Sequence, residues 1–102
     1  MTTEDTIVGT GAAVVSGDTV TVAYVGTLAN GTQFDSSTGY TTRIGVGAVI
    51  KGWDQGIPGM KVGGVRKLTI PPSLAYGKDG NSTIPGNSTL IFVITLKSIA
   101  GK

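Results

Sequence analysis

Side chains that commonly transfer protons, attack carbonyls or bind metals are scarce in this sequence. It contains no His and no Cys among 102 residues, which excludes Ser-His and Cys-His pairs, thiolate zinc ligands and disulfides. Six carboxylates remain, but they form neither the spaced pair of a glycoside hydrolase nor the ligand set of a metal cage. We therefore expect no metal and no cofactor. The six are Glu4, Asp5, Asp18, Asp35, Asp54 and Asp79.

The aromatic residues are a second source of possible chemistry, because Tyr and Trp carry a polar group that needs a partner when it is buried. Tyr76 stands beside a loop rich in Pro and Gly, and Trp53 lies in a segment with helical spacing. Two interpretations stay open from the pattern alone: an ordinary core, or a ring-lined hollow between helix, sheet and loop. The six aromatic residues are Tyr24, Phe34, Tyr40, Trp53, Tyr76 and Phe92.

The elements that would position these residues are mostly strands, because β-branched residues and Gly are abundant. Residues 19–25 alternate between apolar and polar side chains, which predicts a half-buried strand. Asn30-Gly31 predicts a type I′ hairpin turn. Residues 40–45 and 65–70 are also read as strands, and Pro71-Pro72 ends the second one. Residues 90–96 form an apolar run that predicts a central strand.

One helix of about two turns is predicted within residues 49–60, where apolar residues recur at helical spacing and Pro58-Gly59 provides the stop. Residues 1–6 are expected to be a frayed end. Residues 36–39 and 77–88 are expected to be loops. A single helix can cover one face of an antiparallel sheet, so the predicted fold class is α+β.

Charge and hydropathy limit the possible partners. The net charge is +2, and no basic cluster is longer than Arg66-Lys67, so the sequence lacks the footprint of a nucleic-acid-binding protein. No apolar run has the length of a membrane-spanning helix. The first five residues are polar and acidic, unlike a signal peptide. We therefore expect a cytoplasmic protein without nucleic-acid or membrane partners.

Between residues 30 and 96 the sequence resembles the FKBP-type peptidyl-prolyl cis/trans isomerases, the rapamycin-binding family. The resemblance implies a five-stranded antiparallel β-sheet wrapped around one short α-helix, and a single isomerase domain over residues 1–102. The ordered blocks that carry it are Asn30-Gly31, Phe34–Ser37, Val49–Gly56, Gly59–Gly64, Leu68–Pro72, Leu74–Gly77, Ile84-Pro85 and Thr89–Phe92, extended upstream by Val20–Gly26 and Leu28.

The resemblance also implies a hydrophobic cleft between the helix and the sheet. Trp53 would form its floor, and the Ile50 N–H and the Tyr76 hydroxyl would bind substrate carbonyls. Residues carried over as catalytic are Tyr24, Phe34, Asp35, Trp53, Tyr76 and Phe92, and residues carried over as substrate-binding are Tyr40, Val49, Ile50 and Ile84.

Several positions depart from the pattern of the family. Tyr40 stands where a Phe is usual, and Thr42 where another aromatic is common. The Arg that often pairs with the pocket Asp has no clear counterpart, because Arg43 points outward by strand parity. Tyr24 is the best candidate partner for Asp35. In the last loop Asn81 and Thr83 replace bulkier residues, and Gly86 replaces a second Pro.

Three functions are compatible with these residues. The favoured one is an isomerase that acts on proline-containing peptides and unfolded proteins, has a macrolide (rapamycin-like) ligand and is a monomer. The second is a binding module that keeps the cleft without catalysis, and the third is a β scaffold without a site. Rate acceleration separates the first from the second, and macrolide binding separates the second from the third.

Overall fold

The computed structural model describes residues 1–102 and contains seven strands, one α-helix and one short 3₁₀ turn. Numbered in chain order, the strands are β1 (Thr2–Ile7), β2 (Thr10–Ala13), β3 (Thr19–Leu28), β4 (Gln33–Arg43), β5 (Lys61–Val62), β6 (Val65–Ile70) and β7 (Leu90–Ile99), with the helix α1 at Lys51–Gly56 between β4 and β5 and the 3₁₀ turn at Pro72–Leu74.

Five strands form one antiparallel sheet in the order β1-β6-β7-β3-β4, and β2 and β5 form a small second ribbon. The strand predicted to be central, β7, lies in the middle of the sheet. The α+β class and the five-stranded sheet with one short helix are thus confirmed. No helix is long and apolar enough to cross a membrane.

The core lies between α1 and the inner face of the sheet. The alternation along β3 is confirmed, because Val20 and Val22 are buried while Tyr24 on the same side is half-buried at the edge of the core. Fifteen buried apolar residues form one cluster. From the helix side it receives Trp53 and Ile57, and Met60 follows just beyond.

Two glycines let α1 approach the sheet closely. A Cβ on Gly52 would lie 2.5 Å from the Ile70 side chain, and one on Gly56 would lie 2.9 Å from Leu68. Glycine lowers helix propensity because of its backbone entropy, so these residues argue against a helix in the sequence. In the structure they remove the Cβ atoms that would otherwise hold the helix away from the sheet.

The predicted frayed end at residues 1–6 is wrong, because Thr2–Ile7 forms β1 and pairs with β6 at the sheet edge. Every residue of β1 is exposed, so no alternation of burial marks the strand in the sequence. The predicted loop at residues 36–39 is also wrong, since it lies within β4. The helix is shorter than the segment predicted to contain it.

The hairpin at Asn30-Gly31 is confirmed, but the predicted turn type is wrong. A type I′ turn requires positive φ at both residues, whereas only Gly31 has it, at 90°. The Gly31 N–H donates to the Leu28 carbonyl, and the Leu28 N–H donates to the Thr32 carbonyl. This pattern is that of a three-residue loop ending in a left-handed glycine.

Candidate active site

The floor of a cleft between α1 and the sheet is the indole of Trp53, which is 4% exposed. Three rings surround it with their planes steeply inclined: Tyr24 at 5.0 Å, Phe92 at 5.3 Å and Tyr40 at 6.1 Å between ring centroids. Such edge-to-face pairs are favourable because the positive edge of one ring meets the negative face of another. The buried indole N–H has no hydrogen-bond partner.

The sheet side of the cleft is built by three neighbouring strands. Tyr24 comes from β3, Phe34 from β4 and Phe92 from β7, and the Phe34 and Phe92 rings lie 5.5 Å apart. Gly26 of β3 lies between them, and a Cβ there would be 2.8 Å from a carbon of each ring. The absence of a side chain at this position is what allows both rings to pack over β3.

The one carboxylate in the cleft wall is that of Asp35. Its Oδ2 accepts a hydrogen bond from the Tyr24 hydroxyl at 2.7 Å, and its Oδ1 accepts one from the Ser36 N–H at 2.8 Å. Tyr24 is therefore confirmed as its partner. Arg43 is directed elsewhere, because its Nε donates to the Gly17 carbonyl. Burial and the adjoining Asp35 carboxylate raise the pKa of Tyr24 to about 12.

The opposite wall is a loop that enters α1. It contributes Ala48, Val49 and Ile50. The Ile50 carbonyl accepts the N–H groups of Trp53 and Asp54 as the helix begins, while the Ile50 N–H donates to no acceptor in the chain. The hydroxyl of Tyr76, a residue 41% exposed at the rim, also makes no intramolecular hydrogen bond. Both donors carried over from the family are thus free to bind a ligand.

Together these residues enclose about 300 Å³, and nine of the ten side chains around it are apolar or aromatic. Nine of the ten predicted site residues line this cleft; their roles in binding or catalysis stay predictions. An open apolar cleft with few free donors suits a short peptide or drug-like molecule. The lining residues are Tyr24, Phe34, Asp35, Tyr40, Ala48, Val49, Ile50, Trp53, Tyr76 and Phe92.

Ile84 is the one predicted site residue that does not line this cleft, and its role in substrate binding stays a prediction. It is 3% exposed and belongs to the core, and it borders a second hollow of about 290 Å³ rather than the cleft itself. Its loop is held locally by Asn81, whose Oδ1 accepts the N–H groups of Thr83 and Ile84. Phe34, Asp35 and Tyr76 line both spaces, so the hollow adjoins the cleft.

Ala48 and Gly26 are the residues of the site that sequence reasoning missed. Both are small, so neither stands out by residue type. Ala48 directly precedes Val49 and Ile50, and that adjacency was the available signal. Thr42 is buried and does not line the cleft.

The fold and the cleft are typical of one class of protein. Comparison of the sequence with known protein families identifies the same class. Residues 11–97 match the family model described as FKBP-type peptidyl-prolyl cis-trans isomerase. The chain therefore belongs to the FKBP family. The resemblance predicted from the sequence is confirmed, and the family it predicts is one of peptidyl-prolyl cis-trans isomerases.

Individual relatives cover nearly all of the chain. It is 51% identical over 102 residues to FK506-binding protein 4 of Chaetomium thermophilum, covering 97% of this chain but 21% of that protein. It is 57% identical over 89 residues to FK506-binding protein 2 of Dictyostelium discoideum, covering 82% and 67%. The chain thus spans about a fifth of the first of these relatives.

Two solved structures resemble the fold closely. The crystal structure of AtFKBP13 superposes with a TM-score of 0.87 at 46% identity, covering 96% of this chain and 91% of that one. FkpA from Escherichia coli gives 0.88 at 42% identity, covering 95% and 46%. In the second case the similarity covers less than half of the larger protein.

Proposed function

We propose that this chain is a peptidyl-prolyl cis/trans isomerase that acts on X-Pro bonds in peptides and unfolded proteins and thereby assists folding. The observation that carries the proposal is the aromatic cleft over Trp53, with the unused Ile50 N–H and Tyr76 hydroxyl at its walls. Membership of the FKBP family supports the same reaction.

The reaction needs no proton donor, nucleophile or metal. Its barrier of roughly 18–20 kcal/mol arises from the amide resonance that is lost as the C–N bond twists. Catalysis therefore requires a site that binds the twisted imide more tightly than either planar isomer. The Trp53 face and the rings of Tyr24, Phe34 and Phe92 would receive the proline ring and exclude water. Water stabilises the charge-separated planar amide, so its removal favours the twisted form.

The polar groups have distinct parts in this mechanism. The Ile50 N–H and the Tyr76 hydroxyl would hold substrate carbonyls and so fix the peptide on both sides of the rotating bond. Asp35 supplies a negative charge in the wall, and the 2.7 Å bond from Tyr24 holds its carboxylate in place. No group is asked to give up or accept a proton.

The test is cis-to-trans isomerisation of an X-Pro peptide together with refolding of a proline-limited protein. Tyr76→Phe removes one free hydroxyl, and a neutral hydrogen bond contributes about 0.5–1.5 kcal/mol, so kcat/KM should fall severalfold. Val93→Ala is the matched control, because Val93 is exposed on the other face of the sheet. Folded wild-type protein that leaves both rates at their uncatalysed values would refute the proposal.

A macrolide ligand is proposed for the same cleft, since relatives that are about half identical are named FK506-binding proteins. Trp53 is the sole Trp of the chain, so its fluorescence reports on the cleft directly. Quenching or a spectral shift on titration with rapamycin, together with loss of isomerase activity, is the expected result. Binding without any catalysis would instead favour the non-catalytic module.

The monomeric state and the cytoplasmic location stay predictions. Sedimentation of the free protein at micromolar concentration tests the first, and imaging of the tagged protein in its own cell tests the second.

A further inference from the structure

The loop between β4 and α1 forms one wall of the cleft but has almost no hydrogen bonds of its own. Residues 45–49 neither donate nor accept any backbone–backbone hydrogen bond. Gly45 and Gly47 both have positive φ, at 88° and 77°, and Val46, Gly47 and Ala48 are exposed. Regular pairing therefore does not explain the shape of this segment, and only Val49 at its end packs against the core.

The bonds that hold it come from a single side chain. The Asp54 carboxylate accepts the Gly45 N–H at 2.7 Å through Oδ1 and the Gly47 N–H at 3.0 Å through Oδ2. These are the only hydrogen bonds that residues 45–49 make. Hydrogen bonds to an ionised acceptor are stronger than neutral ones.

Asp54 is also the residue that follows Trp53 in α1. The same helical turn thus carries the floor of the cleft and holds the loop that forms its wall. Directly beyond the two bonded glycines lie Ala48, Val49 and Ile50, which line the cleft. A carboxylate outside the cleft lining is thereby connected to the position of the free Ile50 N–H.

We propose that Asp54 is a positioning residue of the isomerase site, which fixes the 45–50 loop so that the Ile50 N–H is held ready for a substrate carbonyl. The inference rests on the proposed function of the cleft. Asp54 does not touch the substrate; it acts by keeping the wall in one arrangement relative to the Trp53 floor.

The residues on either side of the loop are fixed by burial and hydrogen bonds, so a single residue, Asp54, is enough to hold the part between them. Before the loop, Ile44 is fully buried and its N–H donates to the Asp18 carbonyl. After it, the Ile50 carbonyl is bonded to the start of α1. Gly45 packs against Ser16 so closely that a Cβ would overlap the Ser16 hydroxyl. Both ends of the loop are therefore fixed, and Asp54 holds the part between them.

Asp54→Ala removes both acceptors, and Gln55→Ala on the exposed side of the same helix is the matched control. If the binding-competent loop falls to about a tenth of the population, KM for an X-Pro peptide rises about tenfold while kcat stays within about twofold, because saturating substrate restores the loop. A general loss of folded protein would instead lower the apparent kcat at unchanged KM.

A second measurement does not depend on catalysis. Amide hydrogen exchange of Gly45 and Gly47 is expected to accelerate in Asp54→Ala and to stay as in wild type in Gln55→Ala, while the amides of β7 are unchanged in both. If Asp54→Ala does not fold, Asp54→Asn replaces it. That variant keeps the shape and one carbonyl acceptor but turns an NH₂ group toward one of the two N–H groups, so changes of about threefold in the same direction are expected.

Unchanged KM and unchanged glycine exchange in a folded variant would overturn the inference. Should the wild type show no isomerase activity, the proposed function fails by itself. The positioning role of Asp54 is then tested by the amide exchange of Gly45 and Gly47 and by the affinity for an X-Pro peptide, which Trp53 fluorescence measures. Equal exchange and equal affinity in wild type and variant would reject its positioning role.

Discussion

At the scale of single residues, the cleft depends on a missing side chain as well as on its rings. Gly26 lies opposite Asp35 on one side and Phe92 on the other. Its lack of a Cβ lets Phe34 and Phe92 meet above β3 at 5.5 Å. The packing of two lining rings therefore depends on a residue that is not itself part of the lining.

Gly26→Ala is expected to destabilise the protein by about 1–3 kcal/mol, because overpacking forces neighbours out of their preferred positions. It should also lower kcat/KM, since both displaced rings line the cleft. Urea unfolding and isomerase kinetics measure the two effects. Gly39→Ala is the control, because a Cβ there meets nothing within 4 Å and an ordinary surface change stays within about 0.5 kcal/mol. Equal effects of the two substitutions would contradict the packing role of Gly26.

The hydrogen bond between Tyr24 and Asp35 predicts that the free energy of unfolding falls at alkaline pH. The pKa of Tyr24 is raised to about 12 in the folded state, against about 10 for an unperturbed Tyr. Between these values the unfolded chain loses the proton while the folded chain retains it, so folding stability falls as the pH rises. In Tyr24→Phe this contribution is absent, and unfolding free energies measured from pH 9 to about 12 should fall less steeply than in wild type. Parallel curves would show that the hydroxyl is not held in this environment.

At the scale of secondary-structure elements, α1 cannot be stable by itself, because isolated helices shorter than about 12–15 residues are marginal in water and this one has six. It is held by close packing on β6 and by Arg66, whose Nη1 donates to the carbonyls of Gly56 and Pro58 at the helix end. The same guanidinium forms two hydrogen bonds to Asp5 of β1. The edge strand and the helix under the cleft are thus joined through one side chain.

Two substitutions separate the contribution of the helix-end hydrogen bonds to the free energy of unfolding from that of the ion pair with Asp5. Arg66→Ala leaves both helix-end carbonyls without their donor and should cost about 1.5–3 kcal/mol of unfolding free energy. Asp5→Asn removes only the ion pair at the exposed edge and should cost less than about 1 kcal/mol. Chemical denaturation at neutral pH gives both values, and a larger loss from Asp5→Asn would contradict the helix-end role. The hydrogen bonds from Arg66 lower the pKa of Asp5, so its contribution is present above about pH 4 and is lost as the pH falls through that lower value.

Prediction from sequence succeeds for elements that have one buried and one exposed face. Residues 65–70 and 90–96 alternate or are apolar, and both lie in strands, the first with identical bounds. The edge strand β1 has no buried face to produce a pattern. Its place depends on pairing with β6 and on the Asp5–Arg66 contact, which joins residues 61 positions apart.

The site was predictable to the extent that large residues mark it. Six rings, two branched side chains and the Asp35 carboxylate identify nine members of the cleft through resemblance to the family. Ala48 and Gly26, by contrast, act through being small. The position of Ile84 beside the cleft could not be predicted in this way, because its loop is held by the hydrogen bonds that the Thr83 and Ile84 N–H groups donate to Asn81 Oδ1. Short-range polar contacts of that kind have no periodicity in a sequence.

At the scale of the whole molecule, the distribution of titratable groups determines how activity depends on pH. With no His and no Cys in the chain, no side chain has an ordinary pKa between about 5 and 8. The pKa values that are shifted lie further from this pH range than the ordinary ones. Hydrogen bonds lower the pKa of Asp5 and of Asp18, and burial together with the Asp35 contact raises the pKa of Tyr24 to about 12.

An enzyme that transfers protons reports its acid and base as a bell-shaped profile, whereas twisting an imide in an apolar cleft transfers none. We therefore expect kcat/KM for an X-Pro peptide to vary by no more than about twofold from about pH 5.5 to 8.5 at constant ionic strength. Asp35→Asn, measured over the same range, should lower the whole profile without changing its shape. A bell with two steep limbs in the wild type would contradict catalysis by binding alone and would require a proton-transfer group in the cleft.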